Sequence, residues 1–233
     1  MKSENKQNTL APAIVALAAA MLFGASTPAA KLLISQVHPQ LLAGLLYLGS
    51  GCGLFLCSIG SRTFQRSSQE TKLTRSDLPW LSAAILFGGI VGPLLLMTGL
   101  ASTPAGTASL LLNMEAVFTA LLAWFAFKEN FDRRIFLGMV SIVVGSVLLT
   151  WQPTAVLSVP LGSLAIIGAC FCWALDNNLT RRISDSDPMQ IAAIKGLVAG
   201  LVNVSIAFGL GCHMPNTTTL FEAGAMGFLG YGV

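Results

Sequence analysis

Charge is what this sequence has least of. Asp, Glu, Lys and Arg make up only 10% of its 233 residues, while 54% are hydrophobic; an average globular chain is about 25% charged. So few charges cannot coat a soluble protein of this size, and that class is excluded. Histidine is scarcer still. His38 and His213 are the only two, and both fall near the ends of apolar runs, where interfacial solvation accounts for them. There is no HExxH, no GxSxG and no Cys–His pairing at a common depth, so an intramembrane enzyme has no catalytic set. The five cysteines, Cys52, Cys57, Cys170, Cys172 and Cys212, lie in or at the end of apolar runs without histidine or carboxylate companions. Cys170 and Cys172 are two positions apart, so on a helix they point in different directions. They read as packing residues, and neither a metal nor another cofactor is implied. The basic excess is small as well. A net charge of +3 calls for no nucleic-acid partner, because basic loops facing anionic lipid account for it.

What the chain does have is apolar blocks of roughly 20 residues, the length an α-helix needs to cross a hydrocarbon core of ~30 Å. The charges cluster between the blocks. Spans are expected at about 11–33, 40–59, 78–100, 105–127, 135–151, 159–183 and 189–211, with an eighth beginning near Ala223. From there to Val233 a helix reaches ~16 Å at 1.5 Å per residue. That is too short to cross, so a C-terminally incomplete chain is expected. The first span also fits a secretory signal: Lys2 and Lys6, an apolar run, then the small-residue stretch "GASTPAA". A retained helix is the simpler reading, since the run is long for a signal and many spans follow.

With the N-terminus in the cytoplasm, eleven of the 13 Lys and Arg lie on the cytoplasmic side. They are Lys2 and Lys6 and the clusters within 62–75, 128–134 and 181–182. Lys31 falls at the outer end of the first span and Lys195 within the seventh. The connections around Pro104, Pro153 and Pro215 carry none. By the positive-inside rule, this is an integral protein of the inner or plasma membrane with a cytoplasmic N-terminus.

"FGASTPAAKLLISQVHPQ" from Phe23 and "WALDNNLTRRISDSDPMQ" from Trp173 share a plan: an aromatic, a small residue, a polar cluster, a basic residue (Lys31 and Arg181), then Ser, Pro and the next helix. A second echo pairs "LFGGIVG" at 86–92 with "FLGYGV" at 228–233. The sixth span therefore restarts what the first began. The unit is five helices, an odd number, so the second copy enters from the opposite side. Such inverted repeats recur in secondary transporters. Two units follow, 11–151 and a partial 159–233.

The stretch "AVFTALLAWFAFKENFDRRIFLGMVSIVVGSVLL" at 116–149 resembles the EamA domain of the drug/metabolite transporter superfamily. That domain has an apolar "vftallaw" helix, a Gly-Glu near its end, a short basic loop and a helix with two spaced glycines. Glu129 matches the glutamate, and Gly138 and Gly145 match the glycines. Lys128 stands where the family often has glycine, and Ala116 where it often has proline. The resemblance covers essentially the whole chain and is silent on substrate. It implies an all-α polytopic transmembrane bundle built as a ten-helix, two-repeat carrier, with the second repeat truncated here.

Small residues suit close helix packing in lipid. Gly49 and Gly53, Gly196 and Gly200, and Ser141 and Gly145 are spaced for it. Pro28 and Pro93 lie inside spans and mark expected bends. The polar residues inside spans are the candidate site: Ser26, Thr27, Asn113, Glu115, Asp176, Asn177, Asn178 and Lys195. An ionisable group at mid-membrane costs ~2.5–3.5 kcal/mol on insertion scales, so such groups pair, meet water or work. Asp176 and Lys195 are each seven residues from the turn at 183–188, hence at equal depth, ~10 Å in, on consecutive antiparallel helices. An ion pair is expected. Glu115 falls near the midplane, and no second charge of the first repeat lies at that depth. Three readings stay open for it: a carboxylate that takes and gives a proton during transport, a partner for a cationic part of the substrate, or a structural acid bonded to a neighbouring helix.

The expected function is secondary transport of a small organic solute by alternating access. Glu115, Asp176, Lys195, Asn177, Ser26 and Thr27 are the candidate substrate- or proton-binding residues, with no catalytic and no metal-binding residue. The partners are the solute and membrane lipid, with a homodimer as a candidate assembly. A structural or regulatory membrane subunit is the alternative, with an intramembrane enzyme behind it.

Overall fold

The computed structural model describes residues 10–64, 73–128, 130, 132–150 and 161–232. Lys2, Lys6, Arg66, Lys72, Glu129 and Pro153 fall outside them. No strand occurs among the described residues. The chain forms α1 (Leu10–Leu33), α2 (Pro39–Phe64), α3 (Leu78–Ser102), α4 (Ala105–Phe125), α5 (Arg133–Thr150), α6 (Leu161–Arg181), α7 (Pro188–Gly209) and α8 (Thr217–Gly227, continued by a π-helical turn over Phe228–Gly232). Five of these, α1 to α4 and α7, contain stretches of 20 to 25 residues long and apolar enough to cross a membrane. α6 has 21 residues, but Asp176, Asn177 and Asn178 lower its apolarity. The protein is a polytopic helical bundle embedded in the membrane.

Three features depart from the pattern read in the sequence. α8 begins at Thr217, well before Ala223. "NTTT" looks like a loop, yet Asn216 is the cap: its side-chain oxygen accepts from the Thr219 amide at 2.7 Å. From Thr217 to Gly232 this helix rises ~24 Å. Second, α3 contains a π turn over Ile85–Val91, and Pro93 opens the α-helical piece that follows. The echoed stretches of the sequence are both π turns, one in α3 and one in α8. Third, α4 is broken between Leu111 and Met114, without help from proline. Asn113, Glu115 and Ala116 donate to carbonyls three residues back, at 3.1, 3.1 and 3.2 Å, a tight 3₁₀-like turn. Pro28, by contrast, sits within unbroken α1.

α2 is the centre of the bundle. Its most extensive partner is α7, and α8 packs on its other side. Glycines set both distances. A Cβ on Gly51 would collide with the backbone of Gly196 and Leu197, and one on Gly49 with the backbone of Gly224. Gly200 packs on Leu48 and Gly53 on the Phe228 ring. The spacings at 49/53 and 196/200 therefore do what small residues do in lipid. The third pair does not: Gly145 has nothing within 4 Å, and Ser141 returns its hydroxyl to the Leu137 carbonyl. α5 touches chiefly α4, and its Leu137, Val144 and Leu148 face outward.

This yields a prediction. Gly51→Ala pushes a methyl into backbone that cannot yield, costing about 1–3 kcal/mol, whereas Gly145→Ala adds helix propensity to open space and costs nothing. Thermal unfolding in detergent should fall by several degrees for the first and hold for the second. Equal melting of both variants contradicts the close α2–α7 contact.

The two ends of the bundle are held differently. At one, the Lys31 amine donates to the Leu100 and Ala101 carbonyls closing α3, where a cation suits the helix C-terminus. The Thr219 hydroxyl meets the Gln36 side chain at 3.0 Å. The fully buried Leu41, Leu42, Leu96, Met97, Leu100 and Ile166 all lie toward this end. At the other, the Arg182 guanidinium lies 5.7 Å from the centre of the Trp80 ring and 5.0 Å from that of Phe127, tying the ends of α3, α4 and α6 by cation–π attraction.

Candidate functional site

The polar residues of α6 divide by helical face. Trp173, Asp176 and Thr180 point to one side, and Asn177 and Arg181 to the other, as positions three and four apart require. Each face lines a separate space. The first is a central cavity of about 670 Å³ between α1, α2, α6, α7 and α8. The second is a lateral groove of about 590 Å³ between α4, the start of α5 and α6. Glu115 and Asn177 line both.

In the central cavity the Lys195 amine lies 2.5 and 2.7 Å from the two carboxylate oxygens of Asp176. The Thr180 hydroxyl donates to the same carboxylate at 2.9 Å. The ion pair expected from equal depth is present, and both side chains are nearly buried. Gly88 makes room for it, because a Cβ there would overlap the Asp176 carboxylate.

Glu115 stands at the middle of the α4 span, in the first turn of the helical piece that restarts after the break. The positive end of that piece's dipole favours a carboxylate there. Its partner comes from across the bundle: the Asn177 amide donates to Glu115 Oε1 at 2.8 Å. Asn113 does not share in this, and bonds back to the Leu110 carbonyl at 3.0 Å. Asn178 turns into the helix contact, toward the carbonyls of Ala174 at 2.8 Å and Thr119 at 3.3 Å. Ser26 and Thr27 are buried in α1 and line neither space. Ser26 donates to the Phe23 carbonyl at 2.6 Å and packs on Gly230.

A ring cluster escaped the sequence reading. Phe23 meets Trp173 and Tyr231 edge-on, with centroids 6.4 and 5.9 Å apart, and Tyr231 meets Tyr47 at 5.6 Å. All four rings line the central cavity. The π turn of α3 anchors two of them. The Tyr47 hydroxyl and the Trp173 indole N–H both donate to the Gly88 carbonyl, at 2.6 and 2.9 Å. The next carbonyl, of Gly89, accepts from Asn203 at 2.8 Å, and Asn203 is in turn held by Gln40 at 2.9 Å. The available signal was a Gly-Gly pair before Gly-Pro in an otherwise apolar helix, where a wide turn exposes carbonyls to side-chain donors.

Among the described residues lining the central cavity, the charged groups are Glu115, Asp176 and Lys195. Two of them neutralise each other. The third is a midplane carboxylate with a neutral partner, in an aromatic-lined chamber between helices, one of them interrupted. Discontinuous helices meeting such a site recur in transporters.

Comparison with known proteins bears on the family of the chain. Over 209 residues the chain is 30% identical to an uncharacterized transporter of Methanothermobacter thermautotrophicus, covering 84% of this chain and 61% of that protein. The chain thus spans about three fifths of that relative's length. It is 38% identical over 112 residues to a Pseudomonas fluorescens protein named as a probable 4-amino-4-deoxy-L-arabinose-phosphoundecaprenol flippase subunit, covering 45% of this chain and 94% of that one. One crystal structure superposes on 94% of this chain and 74% of its own with a TM-score of 0.64 at 18% identity, a likeness of fold. Residues 10–151 match the EamA-like transporter family, and to that family this chain belongs.

Proposed function

We propose that the protein is a secondary carrier that moves a small organic solute bearing a protonated amine across the cell membrane by alternating access, with Glu115 as the solute's counter-charge. One observation carries this reading: Glu115 is the carboxylate left over in the central cavity once Asp176 and Lys195 are paired. An organic cation supplies the missing charge, and the rings of Phe23, Tyr47, Trp173 and Tyr231 suit it by cation–π attraction. The amino sugar for which the Pseudomonas relative is named carries a group of the same chemistry. The cavity reaches the exposed Ser184 and Pro188 at one end and stops at the apolar core at the other. That is the shape of one state of an alternating-access carrier. The paired π turns of α3 and α8 support two repeats, 11–151 and 159–233, of opposite orientation.

Uptake into proteoliposomes tests the function. The whole protein, reconstituted, should accumulate labelled amines from a panel of amino acids, amino sugars and polyamines when a pH gradient is imposed, and empty liposomes should not. Failure with every member of the panel counts against a carrier and favours a non-transporting subunit. Orientation has its own test. The basic clusters favour a cytoplasmic Ser184 end. In a cysteine-free background, cysteine at Ser76 or Ser184 should resist an impermeant maleimide in intact cells, and cysteine at Met214 should react. The reverse pattern inverts the assignment.

A further inference from the structure

We infer that Glu115 is served by two routes: the solute reaches it through the central cavity, and its proton leaves and returns through the lateral groove between α4 and α6. This rests on the reading of Glu115 as a working carboxylate. The groove is a built passage. It runs from Glu115 to Trp124, nine residues or ~14 Å along α4. Its floor is Ala116, Ala120 and Ala123, small residues that leave space beside the helix. Polar groups stand along it and at both ends: Asn113 and Asn177 at the deep end, Thr119 along the wall, Asn130 and Arg181 at the mouth. A hydrocarbon tail does not suit it, because the deep end is a carboxylate and two amides. Water does, since each polar group offers it a partner.

Where the two spaces approach each other, the 2.8 Å hydrogen bond from Asn177 to Glu115 joins the two residues that line both. Because both residues line both spaces, one carboxylate is presented to each. Glu115 gives its proton to a groove water and is left as the carboxylate, and the hydronium departs past Arg181. The emptied carboxylate then meets the amine from the central side. The titratable groups within electrostatic range of Glu115 are Asp176 and Cys170 on α6 and Tyr47 on α2. Lys195 on α7 is occupied by Asp176. Arg181 stands at the mouth of the groove. Asp132, and Arg133 and Arg134 at the start of α5, are not among the residues lining the groove.

The test needs no solute. In a cysteine-free background, Ala120→Cys places a thiol in the groove, Ala192→Cys places one in the central cavity, and Val144→Cys places one on the outward face of α5. A small neutral methanethiosulfonate, which adds bulk without charge and needs a water-exposed thiolate to react, should modify the first two and spare the third. Proton exchange at Glu115 is followed after a pH jump by the infrared C=O stretch of its protonated form, identified by its loss in Glu115→Gln. Modified Ala120→Cys should slow that relaxation by about ten-fold or more, equivalent to a barrier higher by ~1.4 kcal/mol. Modified Ala192→Cys should leave it unchanged. The proposal is overturned if Ala120→Cys does not react, if its modification leaves the relaxation unchanged, or if the Ala192 adduct slows it equally. It is also overturned if Glu115 shows no titrating band. Protein that passes these tests yet moves no amine in proteoliposomes refutes the carrier reading and leaves the route standing.

Discussion

Glu115→Gln should insert and fold as the parent does and carry no solute against a gradient. Glutamine keeps the shape of the side chain, and its carbonyl still accepts from Asn177, so the contact between α4 and α6 survives. What it loses is the charge. A hydrogen bond to an ionised group contributes about 1.5–3 kcal/mol, so amine affinity should fall roughly ten- to hundred-fold. Net accumulation driven by a pH gradient should vanish, because no group is left to exchange the proton. Glu115→Asp retains the charge on a shorter arm and should keep part of the activity. Gln variants that transport at the parent's rate, with the parent's pH dependence, would reduce Glu115 to a structural acid.

Asp176→Asn and Lys195→Met should each damage the protein more than the two changes together. Either single change strands its partner's charge in a nearly buried site, a loss of about 3–5 kcal/mol when a buried pair is broken. For a chain of this size that is a fall in melting temperature of roughly 6–20 °C. The double variant strands nothing. It gives up the Coulomb attraction and is spared the desolvation of two ions, terms of similar size, so its melting point should sit well above either single variant. Strict additivity would mean the two groups do not interact. The comparison also separates roles: a double variant that is stable but inactive makes the pair part of transport, and one that is stable and active makes it scaffold.

That pair was legible because depth can be counted along a chain. Asp176 and Lys195 sit on consecutive helices joined by a short turn, and counting back from the turn places them level. Glu115 could be placed at the midplane by the same counting, but Asn177 lies 62 residues away on a helix that is not its neighbour in sequence. Nothing local encodes that encounter. The ring cluster was hidden for the same reason, since its members come from α1, α2, α6 and α8. Irregular backbone was the other blind spot. The repeated stretches around Gly88 and Gly230 were visible as an echo, yet their common meaning, a wide turn, needs hydrogen-bond geometry to see. The break in α4 carries neither proline nor glycine, so the rules that flag Pro28 and Pro93 pass over it. At Thr217 a run of hydroxyl residues reads as loop because its cap, Asn216, is recognised only by what it bonds. Helix lengths, set by bilayer thickness, came through best.

α6 is the wall shared by both spaces, and that has a consequence for how the protein is made. Its polar group of Asp176, Asn177 and Asn178 finds some bonds within α6, from Thr180 and to the Ala174 carbonyl, but its counter-charge and its other partners come from other helices: Lys195 on α7, and Glu115 and Thr119 on α4. Alone at the translocon, α6 presents an ionised group and two amides to lipid, each at a cost of about 1–3.5 kcal/mol. It is accordingly the helix least able to leave the channel unaccompanied. α4 precedes it in synthesis and can receive the amides at once. The aspartate waits for Lys195, which emerges 19 residues later. α6 and α7 are therefore expected to enter the bilayer as a hairpin, and a ribosome stalled between them should leave α6 at the water's edge.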